Sequence, residues 1–358
     1  MQIPISKVVL GEAEKQAVLR VLDSGTLTQG EEVAAFEREF ANLHQAAHGV
    51  AVNNGTSALI AALLAHDIGR DDEVIVPSFS FFATASSVLA VGGVPVFADI
   101  EPDTFCLSPE AAERAITPLT KAIMPVHLFG QMADMPAFAD ICARHGLALI
   151  EDAAQAHGAT LDGRYAGSWG TATFSLYASK NIMAGEGGMV LTNDADTAER
   201  LRVIRNQGMA RQYVHERLGY NLRMTEIAAA IGRVQLAGLN AGNAQRRANA
   251  DFFNAHLRGV TTPVERTGSA SCWHQYTLML PAHVDRDTLV RALNDSGIGA
   301  KVYYPIPLHR QPVFGSVQPS LPHTETAAAH VVSLPVHPHL TTEERAYIVE
   351  TVNRLAGA

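Results

Sequence analysis

The sequence predicts an α/β fold, in which a large domain with a mainly parallel sheet precedes a smaller α+β domain. Short apolar runs alternate with amphipathic segments between about residues 49 and 192, which is the pattern of strand–helix–strand units. The chain of 358 residues is longer than one average domain. Because this alternation stops after about residue 240, we expect a large domain over residues 1–240, N-terminal segment included, and a small one over 241–358.

The strands of the large domain are predicted from apolar runs at residues 49–52, 73–76, 94–98, 122–126, 147–151, 171–176 and 188–192. Helices are predicted between the earlier runs at residues 57–65, 82–91, 109–115 and 136–144, and a further helix begins near Asp194. Ser108 and Asp134 are placed to cap two of them. Ligands of such sheets bind beyond the carboxyl ends of the strands.

A long helix is predicted over residues 222–239, and residues 243–249 continue it as a connector. Beyond it, a strand at 275–280, a helix at 286–295 and a Pro- and His-rich stretch at 303–339 indicate the smaller α+β unit.

Composition excludes several classes of protein. The formal net charge is -9 and no basic block occurs, which argues against a nucleic-acid partner. Residues 1–10 lack a signal-peptide pattern, and no apolar run approaches the roughly 20 residues that span a bilayer. The three cysteines, Cys106, Cys142 and Cys272, form no CxxC pair. We therefore expect a cytoplasmic protein without a membrane partner.

Two segments carry reactive side chains at the ends of predicted strands. Glu151 and Asp152 close one strand, and Lys180 follows another in a segment rich in Ser and Gly. A lysine that acts as a nucleophile must lose its proton, and an enclosed site beside other cationic groups lowers its pKa enough to permit that. Taken alone, Lys180 is also explained as an ordinary surface lysine.

Six segments, in order along the chain, resemble the DegT/DnrJ/EryC1/StrS family of sugar aminotransferases. They are Asn53-Asn54-Gly55-Thr56-Ser57-Ala58-Leu59, Pro77-Ser78-Phe79-Ser80-Phe81, Glu151-Asp152-Ala153-Ala154-Gln155, Ser175 with Lys180, Gly185-Glu186-Gly187-Gly188, and Gly219-Tyr220-Asn221-Leu222-Arg223. The resemblance implies a fold-type I aminotransferase that uses pyridoxal 5'-phosphate. It also implies a homodimer whose active sites lie between the subunits.

The phosphate of the cofactor is expected at the start of a helix. Gly55, Thr56 and Ser57 lie between a strand and a helix, where free backbone N–H groups can hold an anion. Simple helix capping is the alternative explanation. The resemblance implies that the hydroxyl of Ser175 assists here and that Asn221 reaches the phosphate of the neighbouring subunit.

The ring of the cofactor is expected against Asp152, because an anion beside the pyridine nitrogen keeps it protonated and lets the ring accept electrons. The resemblance places Gln155 near the ring hydroxyl and Lys180 on the cofactor aldehyde. Phe81 would stack on the ring, although Phe79 and Phe82 compete for this role.

The resemblance implies transamination by a ping-pong cycle in which Lys180 moves the proton. L-glutamate would convert the cofactor to pyridoxamine 5'-phosphate, and a nucleotide-linked keto-sugar would then receive the amine. Two alternatives stay open. One is an aminotransferase acting on a ketocyclitol in aminoglycoside-type biosynthesis, and the other is a non-catalytic sensor or regulator with the same fold.

Substrate contacts are expected from residues 302–312, a segment that also resembles the family. Tyr304 and His309 are candidates for the sugar or its diphosphate, and Arg223 and Arg310 for a carboxylate or phosphate. A proline-stiffened loop whose histidine packs against a strand is the alternative.

No metal site is expected, although the chain has 15 histidines, among them His323, His330, His337 and His339. They lack HExxH or Cys/His ligand spacing. The run Gly185-Glu186-Gly187-Gly188 lacks the phosphate-loop pattern and indicates a flexible turn after the lysine.

Overall fold

The computed structural model describes residues 1–315 and 319–357. The helices up to residue 256 are α1 Glu12–Ser24, α2 Glu31–Leu43, α3 Gly55–Ala65, α4 Phe82–Ala90, α5 Pro109–Arg114, α6 Met135–His145, α7 Ala195–Arg205 and α8 Glu226–His256. The later helices are α9 Arg286–Asp295, α10 Pro322–His330 and α11 Thr342–Leu355. Short 3₁₀ helices lie at Leu128–Gly130, Leu308–Arg310 and Pro312–Phe314.

The strands fall into one large sheet and three small ones. The large sheet contains β1 His48–Val52, β2 Glu73–Pro77, β3 Val94–Ala98, β4 Thr120–Ile123, β5 Ala148–Asp152, β8 Thr171–Ser175 and β9 Gly188–Thr192. The small sheets are formed by β6 Thr160–Leu161, β7 Arg164–Tyr165, β10 Met209–Arg211, β11 Val214–His215, β12 Ser269–Ala270, β13 Tyr276–Met279 and β14 Val331–Leu334.

The large sheet has the strand order β1-β9-β8-β5-β4-β2-β3. Pairing is parallel from β8 through to β3, whereas β9 runs antiparallel to both of its neighbours. The prediction of an α/β fold with a mainly parallel sheet is thus confirmed, and each of the seven apolar runs contributes a strand.

Both faces of this sheet are covered, and successive residues of a strand point to opposite faces. In β2, Val74 and Val76 pack in the core under α3, α4 and α7, whereas Ile75 packs in the core on the other side of the sheet. This burial on both faces explains why the strands read as continuous apolar runs in the sequence.

Helix α8 links the two parts of the chain. It runs unbroken over 31 residues, which confirms the long helix and its continuation through residues 243–249. It begins at Glu226 rather than 222, because the Thr225 side chain caps it by accepting a hydrogen bond from Ala228 N. Residue 240 therefore lies inside the helix, and the division into domains at this point stays a prediction.

A second core lies in the C-terminal region. Phe253 from the end of α8 packs there with residues of α9, α11 and the β13–β14 pair. Ile3 joins this core, and its backbone is hydrogen-bonded to Gly297 O and Gly299 N at 2.8 Å. The first residues thus contact the C-terminal region, whereas the sequence grouped them with the large domain.

Three further findings concern the whole described chain. Cys106, Cys142 and Cys272 are free and buried. In the part of the chain that the structure covers, no helix has the length and apolarity needed to cross a membrane. Within the same residues, no cluster of His, Cys, Asp and Glu side chains could hold a metal ion.

Candidate active site

Asp152 ends β5 at the carboxyl edge of the large sheet and is buried. Its Oδ2 accepts a 2.8 Å hydrogen bond from the Thr84 hydroxyl, and its Oδ1 accepts one of 3.2 Å from Ala154 N. Burial raises the pKa of Asp152, whereas the Thr84 hydrogen bond and the Lys180 charge act in the opposite direction. Asp152 is therefore an enclosed acid that its neighbours help to keep ionised.

Lys180 lies in the segment between β8 and β9 and is partly buried. Burial lowers the pKa of Lys180 to about 8, and the nearby Asp152 carboxylate limits the drop. The lysine also lines a cavity of about 580 Å³ between the lysine segment, α8 and the N-terminal residues. The alternative of an ordinary surface lysine does not fit this environment.

Gln155 lies three residues beyond Asp152 and is buried. Its Oε1 accepts a 2.8 Å hydrogen bond from Phe129 N, and its Nε2 donates one of 3.1 Å to the Tyr304 hydroxyl. The Tyr304 ring lies 6.2 Å from the exposed Phe81 ring. Phe79 is fully buried, whereas Phe82 is exposed but lies beside Phe314, with 6.1 Å between the ring centroids. Phe81 is therefore the exposed phenylalanine next to Tyr304.

The start of α3 has the shape expected for a phosphate cradle. Asn54 caps the helix by accepting a 2.8 Å hydrogen bond from Ser57 N, so the backbone of Ser57 is used within the protein. Within residues 1–315 and 319–357, Gly55 N and Thr56 N have no acceptor. A Cβ on Gly55 would come within 2.8 Å of Cβ of Ser175. The residues present therefore fit a phosphate at this point.

Asn221 and Arg223 lie beside the strand that leads into this cradle, because Leu222 O accepts a 2.8 Å hydrogen bond from Asn53 N and Arg223 forms a β-bridge with Val52. Asn221 is exposed and pairs with Asn206 through an isolated β-bridge. Arg223 donates from Nη1 to Asn206 Oδ1 at 2.7 Å and lines a separate cavity. The exposure of Asn221 is compatible with its expected reach toward a second subunit.

His309 and Arg310 have partners within the protein. The Ser78 hydroxyl lies 2.6 Å from His309 Nδ1, and Glu325 Oε1 lies 3.2 Å from His309 Nε2. Arg310 forms an ion pair with the same Glu325. Because burial lowers the pKa of His309, a neutral ring accepts from Ser78 and donates to Glu325. This arrangement supports the alternative of a histidine packed against the sheet.

The hydrogen-bond partners of the two strand-end acids were not found from the sequence. Thr84 is far from Asp152 along the chain and lies inside α4. Glu151 faces the other side of the sheet and accepts hydrogen bonds from His127 Nε2 and the backbone N–H groups of Gly167, Trp169 and Gly170. Because side chains alternate along a strand, Glu151 and Asp152 are predicted to point to opposite faces of the sheet. No local sequence pattern identifies their hydrogen-bond partners.

A partly buried lysine near a buried strand-end aspartate, together with a helix start that has free backbone N–H groups, is the arrangement found in fold-type I pyridoxal-phosphate enzymes. The chain belongs to the DegT/DnrJ/EryC1/StrS aminotransferase family, whose model matches residues 9–353. The expectation drawn from the six sequence segments is thereby confirmed.

Several known proteins are similar to this chain over nearly their whole length. A pleiotropic regulatory protein of Geobacillus stearothermophilus is 45% identical, with 95% of each chain covered. The UDP-N-acetyl-3-dehydro-α-D-glucosamine 3-aminotransferase of Acidithiobacillus ferrooxidans is 43% identical, over 94% of this chain and 91% of that one. The crystal structure of DesV from S. venezuelae, in complex with a ketimine intermediate, superposes with a TM-score of 0.93 at 41% identity, over 96% and 94% of the two chains.

Proposed function

We propose that this protein transfers an amino group from L-glutamate to a nucleotide-linked keto-sugar by a ping-pong cycle. The observation that carries the proposal is the pairing of a partly buried Lys180, with a pKa near 8, and a buried Asp152 at one edge of the sheet. The similarity to the Acidithiobacillus aminotransferase supports a nucleotide-sugar substrate.

The position of each site residue indicates its role in the proposed reaction. Bound pyridoxal phosphate would supply an electron-withdrawing ring that stabilises negative charge on the adjacent carbon. Asp152 would hold a proton on the ring nitrogen. Lys180 Nζ, once released, would take a proton from the donor Cα and deliver it to the cofactor carbon on the other side of the transferred nitrogen. A pKa of about 8 suits this exchange near neutral pH. Thr56 and Gly55 would hold the phosphate.

The covalent role of Lys180 has a direct test. Purified protein loaded with pyridoxal phosphate should be yellow, borohydride should make the link permanent, and digestion should yield a labelled peptide at Lys180. The variant Lys180→Ala should lose both the link and turnover with glutamate. A Lys180→Ala protein that still converts glutamate would contradict the proposal.

The acceptor is tested from the pyridoxamine form. We expect nucleotide-linked keto-sugars, but not free ketocyclitols, to restore the original absorbance in a single turnover. If a ketocyclitol alone restores it, the sugar assignment is wrong and the cyclitol alternative replaces it.

The regulator alternative has one supporting observation, the similarity to a protein named as a pleiotropic regulator. A regulator does not need Asp152, Gln155, Ser175 and Lys180 together. A colourless, folded wild-type protein that binds no pyridoxal phosphate would favour this alternative over catalysis.

We also propose that Asn221 completes the site of a second subunit in a homodimer. Lys180→Ala and Asn221→Ala should each be poorly active as homodimers. Refolding them together should restore up to about a quarter of the active sites, because half of the dimers are hybrids with one intact site each. No recovery in the mixture would mean that Asn221 serves its own subunit.

A further inference from the structure

The cavity lined by Lys180 is also lined by α8, and we call it the α8 cavity. Its walls are the N-terminal residues around Lys7, the lysine segment, the face of α8 that carries Arg246, and His339. It has a volume of about 580 Å³.

Arg246 is a buried arginine that has no acid partner among the residues that the structure describes. Its Nη1 donates to the carbonyl oxygens of Trp273 at 3.2 Å and His274 at 3.4 Å. In the described part of the chain no carboxylate lies within ion-pair distance of it. Arg205 is buried to a similar degree, yet it forms an ion pair with Glu37. Because an uncompensated buried charge is costly, Arg246 is suited to receive an anion.

The charges around the α8 cavity are unbalanced. Burial lowers the pKa of His339, and the nearby charges of Lys7 and Arg246 lower it further. The one acid on the wall, Glu14, is already engaged, because Gly11 N donates to it at 2.8 Å and Gln235 Nε2 at 2.6 Å. The cavity therefore offers positive charge without a free carboxylate.

The middle of α8 leaves room for a ligand. Gly238 and Gly242 line the cavity one helical turn apart, and a Cβ on either would meet no atom within 4 Å. Glycine inside a helix is less stable than alanine. The helix thus carries two unfavourable residues on the face where larger side chains would fill the cavity.

We propose that the α8 cavity binds an anionic group of a substrate, a carboxylate or a phosphate, through Arg246 and Lys7. This inference rests on the proposed transamination, since the cavity borders Lys180. The anion belongs either to the amino donor, as a carboxylate, or to the nucleotide-linked sugar, as its diphosphate.

The test measures the two half-reactions of the loaded enzyme separately. We expect Lys7→Ala and Arg246→Gln each to raise the half-saturating concentration of L-glutamate or of the nucleotide sugar by about tenfold. A change of this size corresponds to the loss of one charge-assisted hydrogen bond. A rise confined to glutamate identifies a carboxylate, and one confined to the sugar identifies the diphosphate. Glutarate and inorganic pyrophosphate, as probes, should raise the melting temperature of wild-type holoenzyme more than that of the variants.

Arg247→Gln is the matched control, because Arg247 is on the same helix but is paired with Glu265. It should leave both half-saturating concentrations within about twofold of wild type. If Arg246→Gln fails to fold, Lys7→Ala, at an exposed position, still decides the question. Unchanged half-saturation in Lys7→Ala and in every folded Arg246 variant would overturn the proposal. A wild type inactive with every donor and acceptor would instead overturn the transamination itself.

Gly242→Leu provides a test that changes no charge. It should raise the melting temperature, because leucine favours the helix, and yet weaken binding of the same substrate. If it changes the assembly size in chromatography and leaves half-saturation unchanged, the cavity is a packing surface and the proposal is wrong.

Discussion

The Thr84 hydroxyl donates a 2.8 Å hydrogen bond to Oδ2 of Asp152, and both side chains are buried. Ser80 Oγ lies 2.8 Å from Thr84 Oγ1. Since the single proton of Thr84 goes to the carboxylate, Ser80 donates to Thr84. This directed chain of hydroxyls connects the start of α4 with the end of β5.

Replacing Thr84 by valine should destabilise the cofactor-free protein by about 1–3 kcal/mol near pH 7.5, because a buried carboxylate loses a donor. Burial raises the pKa of Asp152 in the folded state. The penalty should therefore shrink as the pH falls through that pKa and the native acid takes up a proton. Urea denaturation at several pH values measures the effect.

Thr84→Ser should restore most of the lost stability, since it retains the donor. Ser87→Ala is the matched control, because Ser87 is buried in the same helix but donates to a backbone carbonyl. A loss of stability in Thr84→Val that does not change with pH would show that the hydroxyl does not act through Asp152.

The pKa of Lys180 predicts how stability depends on pH. Its folded pKa of about 8 lies below the ordinary value of 10.5, so folding is penalised while the lysine is charged. The penalty is complete below pH 8 and disappears as the pH rises toward 10.5. The melting temperature of cofactor-free wild type, minus that of Lys180→Met, should therefore rise across this interval. A constant difference would mean that Lys180 is solvated.

A methyl group at Gly55 should disturb the phosphate cradle. In Gly55→Ala the new Cβ would lie 2.8 Å from Cβ of Ser175, so the backbone must shift at a cost of about 1–3 kcal/mol. We expect a lower melting temperature without cofactor and weaker binding of pyridoxal phosphate in a fluorescence titration. Gly69→Ala, where no atom lies within 4 Å of the added carbon, should change neither. Equal effects of the two substitutions would argue against the cradle.

His309 is expected to act in stability and not in substrate binding. His309→Ala removes buried hydrogen bonds to Ser78 and Glu325 and should cost about 2–3 kcal/mol in chemical denaturation. Both half-saturating concentrations should stay within about twofold of wild type. Arg310→Ala, which breaks a more exposed ion pair, should cost less than about 1 kcal/mol. A stable His309→Ala protein with impaired sugar turnover would restore the substrate role.

The sequence predicted the features that depend on local pattern. Buried strands read as apolar runs, and Asp152 and Lys180 could be placed because one ends such a run and the other follows one. The long helix over 226–256 was also predicted, although its start was placed four residues early because Thr225 caps it.

The partners of these residues were not predictable, because they come from distant parts of the chain. Thr84 meets Asp152 only after β5 and α4 have packed, and Arg246 reaches the α8 cavity only because the helix continues past residue 240. The helices α1 and α2 were also missed. Both pack against α8, a contact that the pattern of either helix alone does not specify.

The backbone bridge between Ile3 and residues 297–299 joins the beginning of the chain to a segment made near its end. During synthesis this contact cannot form until almost the whole chain has left the ribosome, so closure of the two ends belongs to the final stage of folding. A fragment that stops before residue 297 would lack both backbone partners of Ile3. The wall of the α8 cavity around Lys7 is therefore among the last parts of the protein to be set in place.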